Sequence, residues 1–157
     1  MSIFYPEDIR RKRLKTAVLA LLLIVPAAVT GGELELFTTD GCSVFPDGTP
    51  DQQSAWLGCC VRHDLAYWKG GTYDERLKAD EALKTCVEKI GEPEIAAIMR
   101  AGVRIGGTPY LPTSFRWGYG WSDARGYKPL SKEEKQEVKR KLELLKSMLD
   151  SLSEALE

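Results

Sequence analysis

Residues 58–68 read GCCVRHDLAYW. Two cysteines stand side by side, and His63, the only histidine of the chain, follows with Asp64 next to it. The stretch lies inside a predicted helix over 54–71, with Ser54 as its candidate cap and Gly70–Gly71 as its stop. On a helix, His63 and Tyr67 sit one turn apart on one face, while Asp64 points about 100° away from His63. A chain with a single histidine has placed it among cysteines, a carboxylate and a phenol, and the neighbouring segments say what it faces.

The next segment, TYDERLKADEALKTCVEKIG (72–91), reads as a second helix. Thr72 and Glu75 make a T-x-x-E capping box, and Gly91 is a C-terminal stop. The connection between the two helices is only about four residues, so they are expected to lie antiparallel. Leu77, Leu83, Val87 and Ile90 form an apolar stripe, and Asp80 falls in its middle. A carboxylate on a buried face is costly without a partner, and the only histidine lies in the adjacent helix.

Four cysteines, Cys42, Cys59, Cys60 and Cys86, read as two disulfides in an oxidising compartment. Adjacent residues rarely bridge each other, which leaves Cys42 joined to one member of the pair and Cys86 to the other. If Cys59 is the partner of Cys86, His63 comes near Asp80. The rise from Cys59 to His63 is about 6 Å and from Asp80 to Cys86 about 9 Å, equal within one turn. Cys60 then remains for Cys42, and Asp64 faces the loop that Cys42 pins. A lone carboxylate beside free backbone carbonyls suits a hard cation such as calcium. A histidine held by a buried carboxylate next to a cation is a water-activating arrangement. The competing reading is a buried His–Asp pair that only supports the core.

The oxidising context comes from the N-terminus. RRKRLK (10–15) precedes the 14-residue apolar run TAVLALLLIVPAAV (16–29). A membrane span needs about 20 apolar residues, so the run fits a signal peptide better. Residues 1–32 are read as a cleaved signal peptide or, second, an uncleaved anchor. In both cases the positive flank stays cytoplasmic and the rest is exported, secreted or periplasmic. Beyond residue 30 the chain carries 17 basic and 21 acidic residues, a net charge of −4. That argues against nucleic acid as the main partner and against tight docking on strongly anionic lipid.

The remainder divides into a body over 33–128 and a tail over 129–157. Residues 33–53 read as loop, and Pro93 opens a predicted third helix through about Arg104. The aromatic stretch GGTPYLPTSFRWGYGW (106–121) reads as a loop packed on the core or as a wall for an apolar ligand. In the tail, Val138, Leu142, Leu145, Leu149, Leu152 and Leu156 form an amphipathic seam of nearly three heptads. Packing on its own domain, self-association and a membrane surface are its three readings, in that order. No H-E-x-x-H, P-loop, G-x-G-x-x-G or G-x-S-x-G motif occurs. Zinc on Cys59, Cys60 and His63 is disfavoured, because adjacent cysteines serve one tetrahedral ion poorly.

CCVRHDLAYW resembles the C-C-x-x-H-D-x-x-Y signature of the secreted phospholipases A2. ADEALKTC (79–86) is similar to that family's second helix, where an aspartate precedes a cysteine by six. The likeness covers about residues 40–90. It implies a mainly all-α, phospholipase A2-like fold in which two antiparallel, disulfide-linked helices carry the active site, here followed by the C-terminal amphipathic helix. It implies His63 as general base, Asp80 as its partner and Tyr67 bonded to that aspartate. Asp64 becomes the side-chain ligand of calcium (Ca2+), with Gly41, Ser43 and Phe45 as backbone ligands by position. The implied disulfides are Cys42–Cys60 and Cys59–Cys86. The implied activity is hydrolysis of the sn-2 ester of glycerophospholipids at a membrane surface, calcium binding the substrate phosphate and polarising the ester. The chain departs from the family in its loop, TDGCSVFPDGTP, which shares only Gly-Cys with the family's Tyr-Gly-Cys, in having only two disulfides, and in lacking a counterpart of the family's N-terminal helix. The altered loop points to the alternative, a non-catalytic lipid- or partner-binding module on the same scaffold.

Overall fold

A computed structural model describes residues 32–157, so the basic and apolar runs at 10–29 lie outside the described residues. Four helices form: α1 (Leu57–Lys69), α2 (Tyr73–Glu88), α3 (Pro93–Gly106) and α4 (Lys132–Ala155). Among the described residues there is no strand, only one isolated antiparallel bridge between Leu34 and Trp121. None of these helices is long and apolar enough to cross a membrane.

Helix α1 begins at Leu57 rather than at Ser54, and no side chain caps it. The preceding residues are spent on turns of their own. Ala55 N–H donates to the Gln52 carbonyl and Trp56 N–H to the Asp47 carbonyl, which draws 51–56 into the loop. The helix ends where Gly70 and Gly71 take positive φ, 67° and 142°, a conformation that favours glycine. Three residues later α2 starts on its capping box: Thr72 N–H donates to Glu75 Oε2 at 2.7 Å, and Glu75 N–H to Thr72 Oγ1 at 3.2 Å.

The two helices are antiparallel. Cys59 bridges Cys86, His63 meets Asp80, and Tyr67 meets Arg76, so the partners run in opposite order. The second disulfide joins Cys42 to Cys60. Cross-links closing loops of this size stabilise a small domain by on the order of 3 kcal/mol each. Around them lies one core cluster of Trp56, Cys59, Cys60, Leu83, Val87, Ala96 and Met99, through which α3 packs on α2. The buried face of α2 is Arg76, Asp80, Leu83 and Val87. The expected stripe is therefore displaced at both ends: Leu77 is half-buried, and Ile90, past the helix end, is 42% exposed.

The second cluster, Leu34, Trp68, Trp121 and Val138, holds the aromatic stretch and the start of α4. Gly118 N–H donates to the Tyr67 carbonyl and Gly120 N–H to the Trp68 carbonyl, which laces the stretch onto the end of α1. The indole N–H of Trp117 donates to the Gly71 carbonyl and that of Trp121 to the Lys69 carbonyl. The stretch is thus mainly a packed loop, with Phe115 turned to the cavity described below. Helix α4 opens on a second capping box at Ser131 and Glu134. Arg125 holds Glu134 through two bonds of 2.8 Å. Val138 and Leu142 of its seam pack on the domain and Leu145 is half-buried, whereas Leu149, Leu152 and Leu156 are 56%, 57% and 80% exposed.

Gly107 sets the position of Tyr67. A Cβ there would lie 2.4 Å from Tyr67 Cε1 and 2.9 Å from its hydroxyl, whereas a Cβ at Gly102, in α3, meets nothing within 4 Å. Gly107→Ala is expected to cost about 1–3 kcal/mol by overpacking. Gly102→Ala should gain about 0.5–1 kcal/mol from helix propensity. Urea denaturation midpoints of the two variants check the opposite signs.

Candidate active site

His63 and Tyr67 share one face of α1, and their rings lie 4.2 Å apart between centroids. Facing them from α2 is Asp80, completely buried. Asp80 Oδ1 accepts from Tyr67 Oη at 2.7 Å and pairs with His63 Nε2 at 2.9 Å. Asp80 Oδ2 accepts from the Arg104 guanidinium at 2.7 Å. Burial works against the charge of Asp80, but the hydrogen bonds of His63, Arg104 and Tyr67 together hold its carboxyl below the usual carboxylate range. An ionised carboxylate only accepts, so Nε2 of His63 carries a proton and Nδ1 is left as the free ring nitrogen. Burial and the charge of Asp80 push the Tyr67 phenol far upward, so it remains a donor.

Behind this pair stands Arg76, 2% exposed. Its Nε donates to Tyr67 Oη at 2.9 Å, and one terminal nitrogen bonds Tyr127 Oη. The other terminal nitrogen donates to the carbonyls of Val103 at 2.7 Å and Arg104 at 2.9 Å. Both carbonyls lie in the last turn of α3, and that of Val103 also accepts the Gly107 N–H at 3.0 Å. Arg76 therefore ties α2 to the end of α3 and to the phenol that holds Asp80. Arg104 also donates to Tyr73 Oη at 2.9 Å, which fixes its fork from the outside.

Asp64 lies on the neighbouring face of α1 and meets the loop pinned by Cys42. Its Oδ2 accepts from Thr39 Oγ1 at 2.6 Å, and Thr39 Oγ1 in turn accepts from Gly41 N–H at 3.1 Å. Burial pushes Asp64 up to about 6, against the Thr39 bond and the nearby His63, with Asp40 and Asp47 adding to the rise. Gly41 has φ of +78°, and a Cβ on it would sit 2.3 Å from Asp47 Oδ1. Asp47 Oδ1 accepts the Cys42 N–H at 2.8 Å and so braces the turn. Among the described residues, the carbonyls of Gly41, Ser43 and Phe45 accept no backbone hydrogen bond.

A largely apolar cavity of about 220 Å³ opens at this point. The loop Gly41–Phe45 forms one side, His63, Asp64 and Tyr67 the next, and Ile98, Met99, Val103 and Phe115 the far wall. A second pocket of about 200 Å³ adjoins it, sharing Asp64 and Phe115 and adding Thr38, Asp40, Ser114 and Tyr119. A larger open groove of about 660 Å³ runs over the Cys59–Cys86 bridge beside Arg62 and Glu81, and neither His63 nor Asp80 lines it. Among the described residues no three or more His, Cys, Asp or Glu side chains are arranged around a metal position. A cation here would rest on one carboxylate and backbone oxygens, an all-oxygen donor set of the kind that hard cations take.

The structure thus brings His63, Tyr67, Asp64, Gly41, Ser43 and Phe45 to one cavity and sets Asp80 directly behind His63. It adds Arg76, Arg104 and Tyr127, which the sequence reading missed. Arg76 had a signal: at four residues before Asp80 and seven before Leu83 it shares their helical face. Arg104 and Tyr127 had none, because only the folding of α3 and the 122–130 segment carries them there. No protein-family model, curated protein or solved structure matches this chain.

Removing one member of a buried charged network strands the others. Arg76→Met is expected to cost about 3 kcal/mol or more, read as a urea midpoint. A second expectation concerns pH. An acid whose pKa folding raises binds its proton more tightly when folded, so it favours the fold below its unfolded value of 3.8 and loses that contribution as pH rises to about 6. With chelator present, wild-type stability should fall across that window by up to about 3 kcal/mol relative to Asp64→Asn. Parallel pH profiles for the two proteins would show that burial does not hold this carboxyl.

Proposed function

We propose that the chain is an exported, calcium-dependent hydrolase of the phospholipase A2 kind, cleaving the sn-2 ester of glycerophospholipids at a membrane surface. The observation that carries this reading is the only histidine, bonded through Nε2 to a buried aspartate and bordering an apolar cavity that Asp64 and a loop of unused carbonyls also line. The resemblance of CCVRHDLAYW to the family signature points the same way.

In this mechanism His63 Nδ1 takes a proton from a water as that water attacks the ester carbonyl. Asp80 keeps the ring in the productive tautomer and offsets the charge of the imidazolium. Tyr67 and Arg104 hold Asp80 in place, so the ring does not turn as it gains the proton. His63 then passes that proton to the leaving alkoxide of the lysophospholipid. Ile98, Met99, Val103 and Phe115 supply the apolar wall for an acyl chain and keep bulk water from the ester. Asp64 and the carbonyls of Gly41, Ser43 and Phe45 would hold calcium, which when bound supplies positive charge for the substrate phosphate and the developing oxyanion.

One observation favours the non-catalytic reading. Arg104, at 2.7 Å, and Arg76, at 3.9 Å, already compensate the charge of Asp80, which weakens its support for a cationic imidazole. A lipid-binding module would keep the cavity and need no base.

Fatty-acid release from mixed phosphatidylcholine and phosphatidylglycerol vesicles, with calcium and then with chelator, separates the two. Calcium-dependent release from the sn-2 position is expected. His63→Gln should lower it by about 10²–10⁴-fold, the usual contribution of a general base, with little change in urea midpoint. A His63→Gln protein that keeps most of its turnover would end the water-activating role. Vesicle binding by the wild type without release under any condition would select the binding module.

A further inference from the structure

We propose that the distal half of α4 is the contact of an antiparallel homodimer, in which two copies pack their seams across a twofold axis near residue 147. The inference stands apart from the hydrolase reading, since no residue of the cavity takes part.

Helix α4 spans 24 residues, roughly 36 Å. Its first turns are held by Arg125, Val138 and Leu142, but beyond them Met148, Leu149, Leu152 and Leu156 are 53–80% exposed. These leucines continue the alternating spacing of four and three that starts at Val138. That spacing is the seam of a coiled coil, which meets another helix as knobs into holes.

Charge selects the partner and its direction. Residues 132–146 hold six basic side chains (Lys132, Lys135, Lys139, Arg140, Lys141, Lys146) and four acidic ones (Glu133, Glu134, Glu137, Glu143), a net of +2. Residues 147–157 hold Asp150, Glu154 and Glu157 and no basic residue, a net of −3. A parallel pair would align like halves, whereas an antiparallel pair sets each acidic half beside a basic one. Acidic residues near a helix C-terminus also oppose its own macrodipole, and the last turn of α4 has no basic residue to correct this. An antiparallel second copy brings that correction. An anionic lipid surface does the opposite, because the most exposed half of the seam is the acidic one.

The register follows. Leu145 packs against the partner's Leu149, the side of Leu142 that its own domain leaves open packs against the partner's Leu152, and the symmetry repeats both layers. Asp150 then falls near the partner's Lys146, and Met148 lies beside its own copy at the axis. The contact is isologous, so it closes at two copies.

The test uses the full-length chain in mild detergent, with its mass followed by light scattering corrected for detergent. A mass of two copies is expected at micromolar concentration, and Leu149→Glu with Leu152→Glu together should weaken the dimer by about 100-fold or more. Single thiols report direction through a short bis-maleimide. Met148→Cys should cross-link to its copy, while Leu156→Cys should not, its copy lying roughly 27 Å further along the pair. A mass of one copy, a dimer indifferent to the two glutamates, or cross-linking at Leu156→Cys but not at Met148→Cys would each overturn the proposal.

Discussion

A single carboxylate, that of Asp80, sets the terms for the rest of this molecule. A bare charge in a protein interior is untenable, and Asp80 has no exposure at all. It is kept by donors from two other helices: His63 and Tyr67 from α1, and Arg104 from α3. Arg76 stands behind them and spends its guanidinium on Tyr67, Tyr127 and the end of α3. The disulfide Cys59–Cys86 sets the register that lets these groups meet, and Gly107 leaves the space that Tyr67 needs.

The same arrangement creates a tension. A carboxylate that only served a histidine would lend it the whole of its charge, but Asp80 shares its charge with two guanidinium groups. Stability and basicity thus draw on one group. The two oxygens divide the work: Oδ1 faces the imidazole and the phenol, and Oδ2 faces the arginines. Asp64, one residue from His63, has the reverse condition. It is buried with a hydroxyl for a partner and other carboxylates nearby, and burial, more than those carboxylates, pushes its pKa upward.

The tryptophans hold this centre in place rather than enclosing it. Each of the four tryptophans donates its indole N–H to a backbone carbonyl, from Trp56 on Pro46 to Trp121 on Lys69. These bonds stitch the loop before α1 and the stretch after α3 to the ends of α1. A chain with few residues for its core gains order by giving large apolar side chains a fixed polar end.

Much of this was legible in the sequence because it depends on local chemistry. The capping box of Thr72 and Glu75, the glycine stop of α1 and Pro93 at the first turn of α3 each act within a few residues, and the helices follow them. His63 opposite Asp80 was legible because two antiparallel helices with a short connection allow few registers. Ser54 was misread because a cap signal says nothing of the tertiary turn that drew 51–56 into the loop, and Ile90 because the helix ends before it. The seam of α4 was legible as a pattern, but which part of it the domain covers depended on where Leu34, Trp68 and Trp121 meet. Arg104 and Tyr127 reach Asp80 and Arg76 from segments 24 and 51 residues away. No periodicity carries that information, because it is set only when the chain has folded back on a buried charge that must be neutralised.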